Sequence, residues 1–192
     1  MKLNSPKTYK VVRFTLETGS FKQLEAQKAT GVSFGLVNRV TNWMKSRKFV
    51  AKEPGGYNVI APAALAQTFS LFRQMGDLRT SEFMVDINPQ KLESIIKEHG
   101  AAYCLSSALS YYDDYFRDPS IHVYGSKKLE KTLNNLPSGR TRIDVYRDDL
   151  QENADIISAK GIRKTTKIRT IIDLLCSERA YAADRLIKKT WS

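Results

Sequence analysis

From residue 5 to residue 48, apolar positions recur at separations of three and four, the period of helices that bury one face. Ser5 ahead of Pro6 suits a helix start, since proline lacks an N–H where a helix cannot pair one anyway. Val11, Val12, Phe14 and Leu16 give that helix its apolar face, and Gly19 ends it. Ser20 opens a shorter helix with Leu24 and Ala29 inward, closing at Gly31. Ser33 caps a third, whose inner positions are Leu36, Val37, Val40, Trp43 and Met44. After Lys48 the period falls to two. Residues 49–52 read as a strand, Glu53-Pro54-Gly55-Gly56 as a turn and 57–60 as the returning strand.

Pro62 starts an apolar helix to about Met75, with Ala64, Leu65, Thr68, Phe69, Leu71 and Phe72 inward and Gly76-Asp77 as its end. Beyond it the pattern mixes both periods. Strands are expected over 83–87, 121–124, 142–146 and 155–158, with helices over 89–99, 103–115 and 127–133. The tail from Lys167 reads as helical with a break around 177–179. The expected fold class is therefore α+β or α/β. A DNA-binding unit over 1–60 is followed by a linking helix over 61–78 and a mixed α/β domain over 79–192.

Charge sharpens this division. Residues 1–60 carry 11 Lys and Arg against three acids, a net of +8 of the chain's +11, so the excess sits in less than a third of the sequence. A polyanionic partner for the first segment follows. The two cysteines, Cys104 and Cys176, lie in apolar helical patterns and form no CxxC, which favours reduced, buried thiols and a cytoplasmic protein. No stretch approaches the roughly 20 apolar residues of a membrane span, and the N-terminus has no apolar signal-peptide core.

The segment 23–60 has the parts of a winged helix-turn-helix. Gly31 supplies the turn, Val32 plugs the joint, and Val37, Val40 and Met44 lock the third helix against the first two. Ser33, Phe34, Gly35, Asn38, Arg39 and Asn42 are left outward at its N-terminal half, the positions that reach base edges from the major groove. Arg39 suits guanine, and Asn38 or Asn42 suits adenine. Lys45, Arg47, Lys48 and Lys52 are placed to neutralise phosphates, with Gly55, Gly56 and Tyr57 as a wing tip that lets backbone approach the duplex. A three-helix unit with a hairpin also serves protein contacts, and the concentration of charge argues against that use. The run Gly31-Val32-Ser33, Val37 and Asn38-Arg39-Val40 resembles winged helices of the MarR type.

Two stretches of the second half resemble a further family. Leu105-Ser106-Ser107-Ala108-Leu109, together with Thr165-Thr166-Lys167-Ile168-Arg169-Thr170-Ile171-Ile172-Asp173-Leu174-Leu175 and the small-residue helix expected over 180–187, are similar to the C-terminal domain of AbiEi-type antitoxins. That family places such a domain after an N-terminal winged helix. The resemblance implies a repressor of its own operon that binds its own promoter and counteracts a nucleotidyltransferase-type toxin. This chain is short for the family, with compact connections through 118–165. The residues themselves allow a plainer reading, in which Arg169 and Asp173 pair along one helix face and the Ile and Leu positions are core.

No catalytic residue, cofactor or metal is assigned. Asp113 and Asp114 are adjacent and diverge by about 100° on a helix. Asp144, Asp148 and Asp149 lack a nuclease-like lysine or glutamate spacing, and His99 and His122 have no metal partner nearby in sequence. The basic stretches Lys127-Lys128, 140–142 and 160–167 are either solvated surface, an extension of the DNA face or a site for an acidic partner. The expected protein is a monomeric or homodimeric DNA-binding regulator. The alternatives are a transcription factor whose second half senses a ligand or dimerises, and a nuclease targeted by the winged helix.

Overall fold

Ser5 Oγ accepts the Thr8 N–H at the head of the first helix, and Pro6 fills the first turn, so this N-terminus leaves few unpaired donors. The computed structural model describes residues 5–151, 153–159 and 161–191. Helix α1 (Pro6–Thr18) buries Tyr9, Val11, Val12 and Leu16, and Gly19 closes it at φ 71°. A two-residue strand, β1 (Ser20–Phe21), follows where a helix start was expected. Helix α2 (Gln23–Thr30) begins later, with the Glu25 carboxylate accepting the Lys22 N–H. That later start turns Ala26 inward against α1 and leaves Leu24 and Ala29 exposed, contrary to the expected face.

Gly31, at φ 65°, turns the chain into α3 (Phe34–Ser46), which buries Val37, Val40, Thr41 and Met44. Each large apolar side chain so buried stabilises by about 1.5–3 kcal/mol. Ser33 holds the capping position, yet its side chain makes no capping bond; its carbonyl accepts from Leu36 and Val37 instead. Strands β2 (Val50–Glu53) and β3 (Gly56–Val59) form a hairpin, and β1 pairs with the free edge of β3, giving the order β1-β3-β2.

The expected long helix from Pro62 is shorter. Helix α4 (Pro62–Gln67) tightens into a 3-10 turn over Thr68–Leu71. A 3-10 turn holds about three residues rather than 3.6, which rotates the face. Leu65, Ala66 and Phe69 point inward, Ala64 is exposed, and Leu71 and Phe72 are 74% and 52% exposed. The buried position passes to Arg73.

The second sheet has six strands. Its elements in chain order are β4 (Arg79–Val85), α5 (Pro89–Glu98), β5 (Ala102–Tyr103), α6 (Leu105–Leu109), β6 (Ile121–Tyr124), α7 (Lys127–Asn134), β7 (Thr141–Tyr146), β8 (Ile156–Ala159) and β9 (Ile162–Thr165). Helices α8 (Lys167–Leu175) and α9 (Asp184–Trp191) end the chain. The strand order is β4-β7-β6-β5-β9-β8, with β6 parallel to β7, β5 parallel to β9 and the other pairs antiparallel. The molecule is thus mixed α and β, with two sheets.

One expectation fails here for a local reason, and one strand was not expected. The helix over 103–115 is only α6, because the Asp113 and Asp118 side chains accept from Tyr115 N and Ser120 N and fold the following segment into turns. The basic stretch 160–167 contains the unexpected β9. Lys164 lies over the Tyr111 and Tyr112 rings, and Arg163 donates to the Gly100 carbonyl, so both basic side chains have internal contacts.

Strand alternation sorts the two faces of the large sheet. Val123, Ile143 and Val145 pack against Leu92, Ile95 and Ile96 of α5 and Leu129 and Leu133 of α7. On the other face, Tyr124 and Tyr146 join α6 and α8 in a cluster that continues to Tyr9, Val12 and Leu65 of the first half. Helix α8 touches α1, α4 and α6, so the apolar core runs from one sheet to the other through it.

Candidate nucleic-acid interface

Helix α3 presents a face whose side chains stay out of the core. Phe34, Gly35, Arg39 and Asn42 are exposed and Asn38 is half-buried, while Val37, Val40 and Met44 on the reverse are fully enclosed. Ser33 at the head is exposed. The sequence-derived base-facing set therefore lies on one surface of one rigid helix.

Asn38 is not independent of its surroundings. Its Oδ1 accepts from Gln23 Nε2 at 3.1 Å and from Asn42 Nδ2 at 3.2 Å. A carbonyl oxygen has two lone pairs, so this oxygen is saturated and Asn38 offers its amide N–H donors outward. Asn42 and Gln23 each keep a carbonyl oxygen and one N–H, the pair of groups that suits adenine. Gln23 was missed by sequence reasoning. Nothing in the spacing relates it to Asn38, since the α2–α3 corner decides which residue of α2 reaches the outward face of α3.

The cationic flank begins where α3 ends. Lys45, Arg47, Lys48 and Lys52 are all exposed. Lys48 adopts φ 59°, and the Phe49 N–H reaches back to the Met44 carbonyl, a helix ending that ordinarily takes glycine. A lysine here accepts backbone strain of about 1 kcal/mol.

The hairpin tip has an internal logic beside any external one. At Gly56 an added Cβ would lie 2.5 Å from the Phe21 carbonyl oxygen, so glycine is required for β1 to pair with β3. Tyr57 is half-buried, with its ring stacked on Phe21 at 5.6 Å. Gly55 is exposed with open space around it, and it alone of the two glycines has no packing reason.

The Arg169 and Asp173 pair is present, with Arg169 Nε 2.9 Å from Asp173 Oδ1, but it is buried rather than on a surface face. Arg169 also reaches Asp155 at 3.2 Å, Asp148 at 3.0 Å and the Tyr124 hydroxyl at 2.7 Å. Arg73 donates to the same Asp173 oxygen at 2.8 Å, to Tyr124 and to Asp149. Arg13 of α1 stands 3.4 Å from Asp155. This charge network sits where α1, the segment after α4 and the large sheet meet, and it uses the motif residues as a joint.

Asp113 is buried and held by Arg185 and Lys189 of α9, while Asp114 is exposed. His99 bonds Thr132 at 2.9 Å. Asp144 and His122, distant in sequence, are brought together on adjacent strands. Cys104 and Cys176 are free and buried, and burial pushes both thiol pKa values up. Among the described residues no group of three His, Cys, Asp or Glu is set to hold a metal ion, and no helix is long and apolar enough to cross a membrane. Compared with known proteins, the chain matches no family model, no curated protein and no solved structure.

Proposed function

We propose that this protein is a sequence-specific regulator that binds double-stranded DNA, with α1 to α3 and the β2–β3 hairpin acting as a winged helix-turn-helix. The observation that carries the reading is the outward face of α3. It combines Phe34, Asn38, Arg39 and Asn42 with a flank of Lys45, Arg47, Lys48 and Lys52. Base edges would be read by the amides and Arg39, and phosphates would be neutralised by the flank.

The second half supports a repressor with another role. Its Ser106-Ser107 and Arg169–Asp173 stretches resemble AbiEi-type antitoxins, which suggests autorepression of an operon and opposition to a nucleotidyltransferase-type toxin. A second reading, a ligand-sensing transcription factor, is favoured by a cleft beside the segment that joins the two sheets.

The deciding experiment is binding to the DNA upstream of its own gene, compared with random duplex across a salt series. Preference for a site within that DNA, with a steep salt dependence, is expected. Equal affinity for both duplexes sinks the repressor reading. Failure of a neighbouring nucleotidyltransferase to be neutralised on co-expression sinks the antitoxin role alone.

A further inference from the structure

Strands β6 and β7 place ionisable side chains where a sheet usually buries apolar ones. The alternation on β7 sends Ile143 and Val145 into the core and turns Arg142, Asp144 and Tyr146 to the opposite face, with His122 beside Asp144 on β6. Asp144 and His122 are both nearly inaccessible. The His122 ring lies between the Tyr146 hydroxyl, 3.2 Å from Nδ1, and Asp118 Oδ2, 3.1 Å from Nε2. Ser106 donates to that same Asp118 oxygen at 2.7 Å. Well-packed apolar residues of equal volume often stabilise as much as such a buried array or more, so stability alone does not account for it.

Ser106, His122, Arg142, Asp144 and Tyr146 line a cleft of about 410 Å³. One wall is the connection from Gln74 to Asp77, and the other is the end of α8 through Arg179. The volume falls in the range of small-molecule sites, about 300–1,000 Å³. The connection is tied to the end of α8 by the Met75 N–H, which donates to the Cys176 carbonyl at 2.8 Å.

Three guanidiniums line the cleft. Arg79, Arg142 and Arg179 are 42%, 38% and 40% exposed at their side chains, whereas Asp144 and Asp118 beneath them are 2% and 4% exposed. The buried carboxylates hold the arginines without occupying the space above. Arg79 and Arg142 both reach Glu82 Oε2 at 3.1 Å, which sets their heads side by side. Among the described residues, Arg79 Nη2, Arg142 Nη1 and Arg179 Nη2 have no protein acceptor. Asp77 and Glu178 stand exposed at the rim.

We infer that this cleft binds a small organic phosphate monoester, with its phosphoryl oxygens on Arg79, Arg142 and Arg179 and its body over Met75, Leu105 and Tyr146. Guanidinium forks pair with oxyanions through parallel N–H donors. The three guanidiniums are already paired with carboxylates, so the match rests on geometry: a phosphoryl group presents three terminal oxygens, one for each fork, where a carboxylate presents two. The inference does not depend on DNA binding.

The test is calorimetric titration of the full chain with glycerol 3-phosphate, inorganic phosphate and glycerol. Saturable binding of one glycerol 3-phosphate is expected, weaker binding of inorganic phosphate, and none of glycerol. Arg179→Gln should weaken binding about tenfold or more, the cost of losing a charged hydrogen-bond donor. Asp118 then keeps its bonds from Ser106 and His122, so the fold should stand. Arg142→Lys, which keeps charge but removes the fork, is the second variant and should weaken binding in the same direction. Lys131→Gln on α7 should leave the titration unchanged. Loss of binding in Lys48→Gln would put the phosphate on the α3 flank and overturn the inference. Unaltered binding in both arginine variants, or no saturable heat from either phosphate, would also overturn it.

Discussion

Gln23 Nε2 donates to Asn38 Oδ1 at 3.1 Å, so the first residue of α2 orients an amide at the centre of the outward face of α3. With Asn42 donating to the same oxygen, the three amides form a chain whose middle member shows only donors. Asn38→Asp keeps an acceptor for both neighbours and replaces those outward donors with a carboxylate oxygen. On the DNA-binding reading, its base preference should move from guanine or thymine acceptors towards the cytosine amino group, by about 1–3 kcal/mol at one position. Gln23→Ala should relax preference at that same position. Affinities across a set of single-base operator variants provide the check, and an unchanged profile in both variants rules out base reading by the chain of amides.

Lys48 combines strain with charge. Lys48→Gly should raise folding stability by about 1 kcal/mol, since glycine enters the left-handed region without a Cβ penalty. The same variant should bind all duplexes more weakly and lower the salt slope by about one unit. Denaturant unfolding and salt-dependent binding measure the two effects separately. A loss of stability would remove the strain argument.

Arg169 is the hub of the buried joint. Its removal leaves the enclosed Asp155 with Arg13 at 3.4 Å and the enclosed Asp173 with Arg73 in place of two guanidiniums each. Arg169→Ala should therefore destabilise by about 3–5 kcal/mol, the range for breaking a buried pair on one side. An exposed helix-face pair would change stability by only about 0.3–0.5 kcal/mol. Urea unfolding distinguishes them, and the smaller value would return the pair to the surface role read from spacing.

Two groups make stability depend on pH in opposite senses. Burial pushes the His122 pKa from 6.5 down to about 4, with Asp144 opposing and Arg142 and Arg79 adding to the shift. Its contribution is therefore fully present above pH 6.5 and is lost as the pH falls towards 4. Asp155 is pushed from 3.8 up to about 6, by burial against the opposing pull of Arg169. Its contribution is present below pH 3.8 and is lost as the pH rises through 6. The two offset in wild type across the shared window, so variants are needed. Relative to wild type, His122→Gln should improve as the pH falls through that window, and Asp155→Asn should improve as it rises. Stability curves parallel to wild type at every pH would exclude both titrations.

The first half was largely legible because its signals are local. Pro6, Gly19 and Gly31 punctuate helices through their own backbone preferences, and the α3 face follows from a period carried within thirteen residues. The misreadings have causes of both ranges. Ser20 looks like a cap but enters a strand because Asn58, far along the chain, offers it an edge. Leu71 and Phe72 look like core until the tightening of the helix rotates them out. Gly56, expected at a wing tip, has in addition an internal role that spacing does not record, since its missing side chain admits the Phe21 backbone.

Sequence alone determined where charge is concentrated, which face of α3 is polar and which residue types stand there, since these depend on composition and helical period. Tertiary structure decided what those residues touch. Gln23 reaches Asn38 across a corner, Arg73 shares Asp173 with Arg169 across 100 residues, and His122 meets Asp144 through parallel pairing of β6 and β7. Hydrogen bonds and ion pairs act over a few ångströms of space, and no spacing along the chain records which distant residues the packing will bring that close.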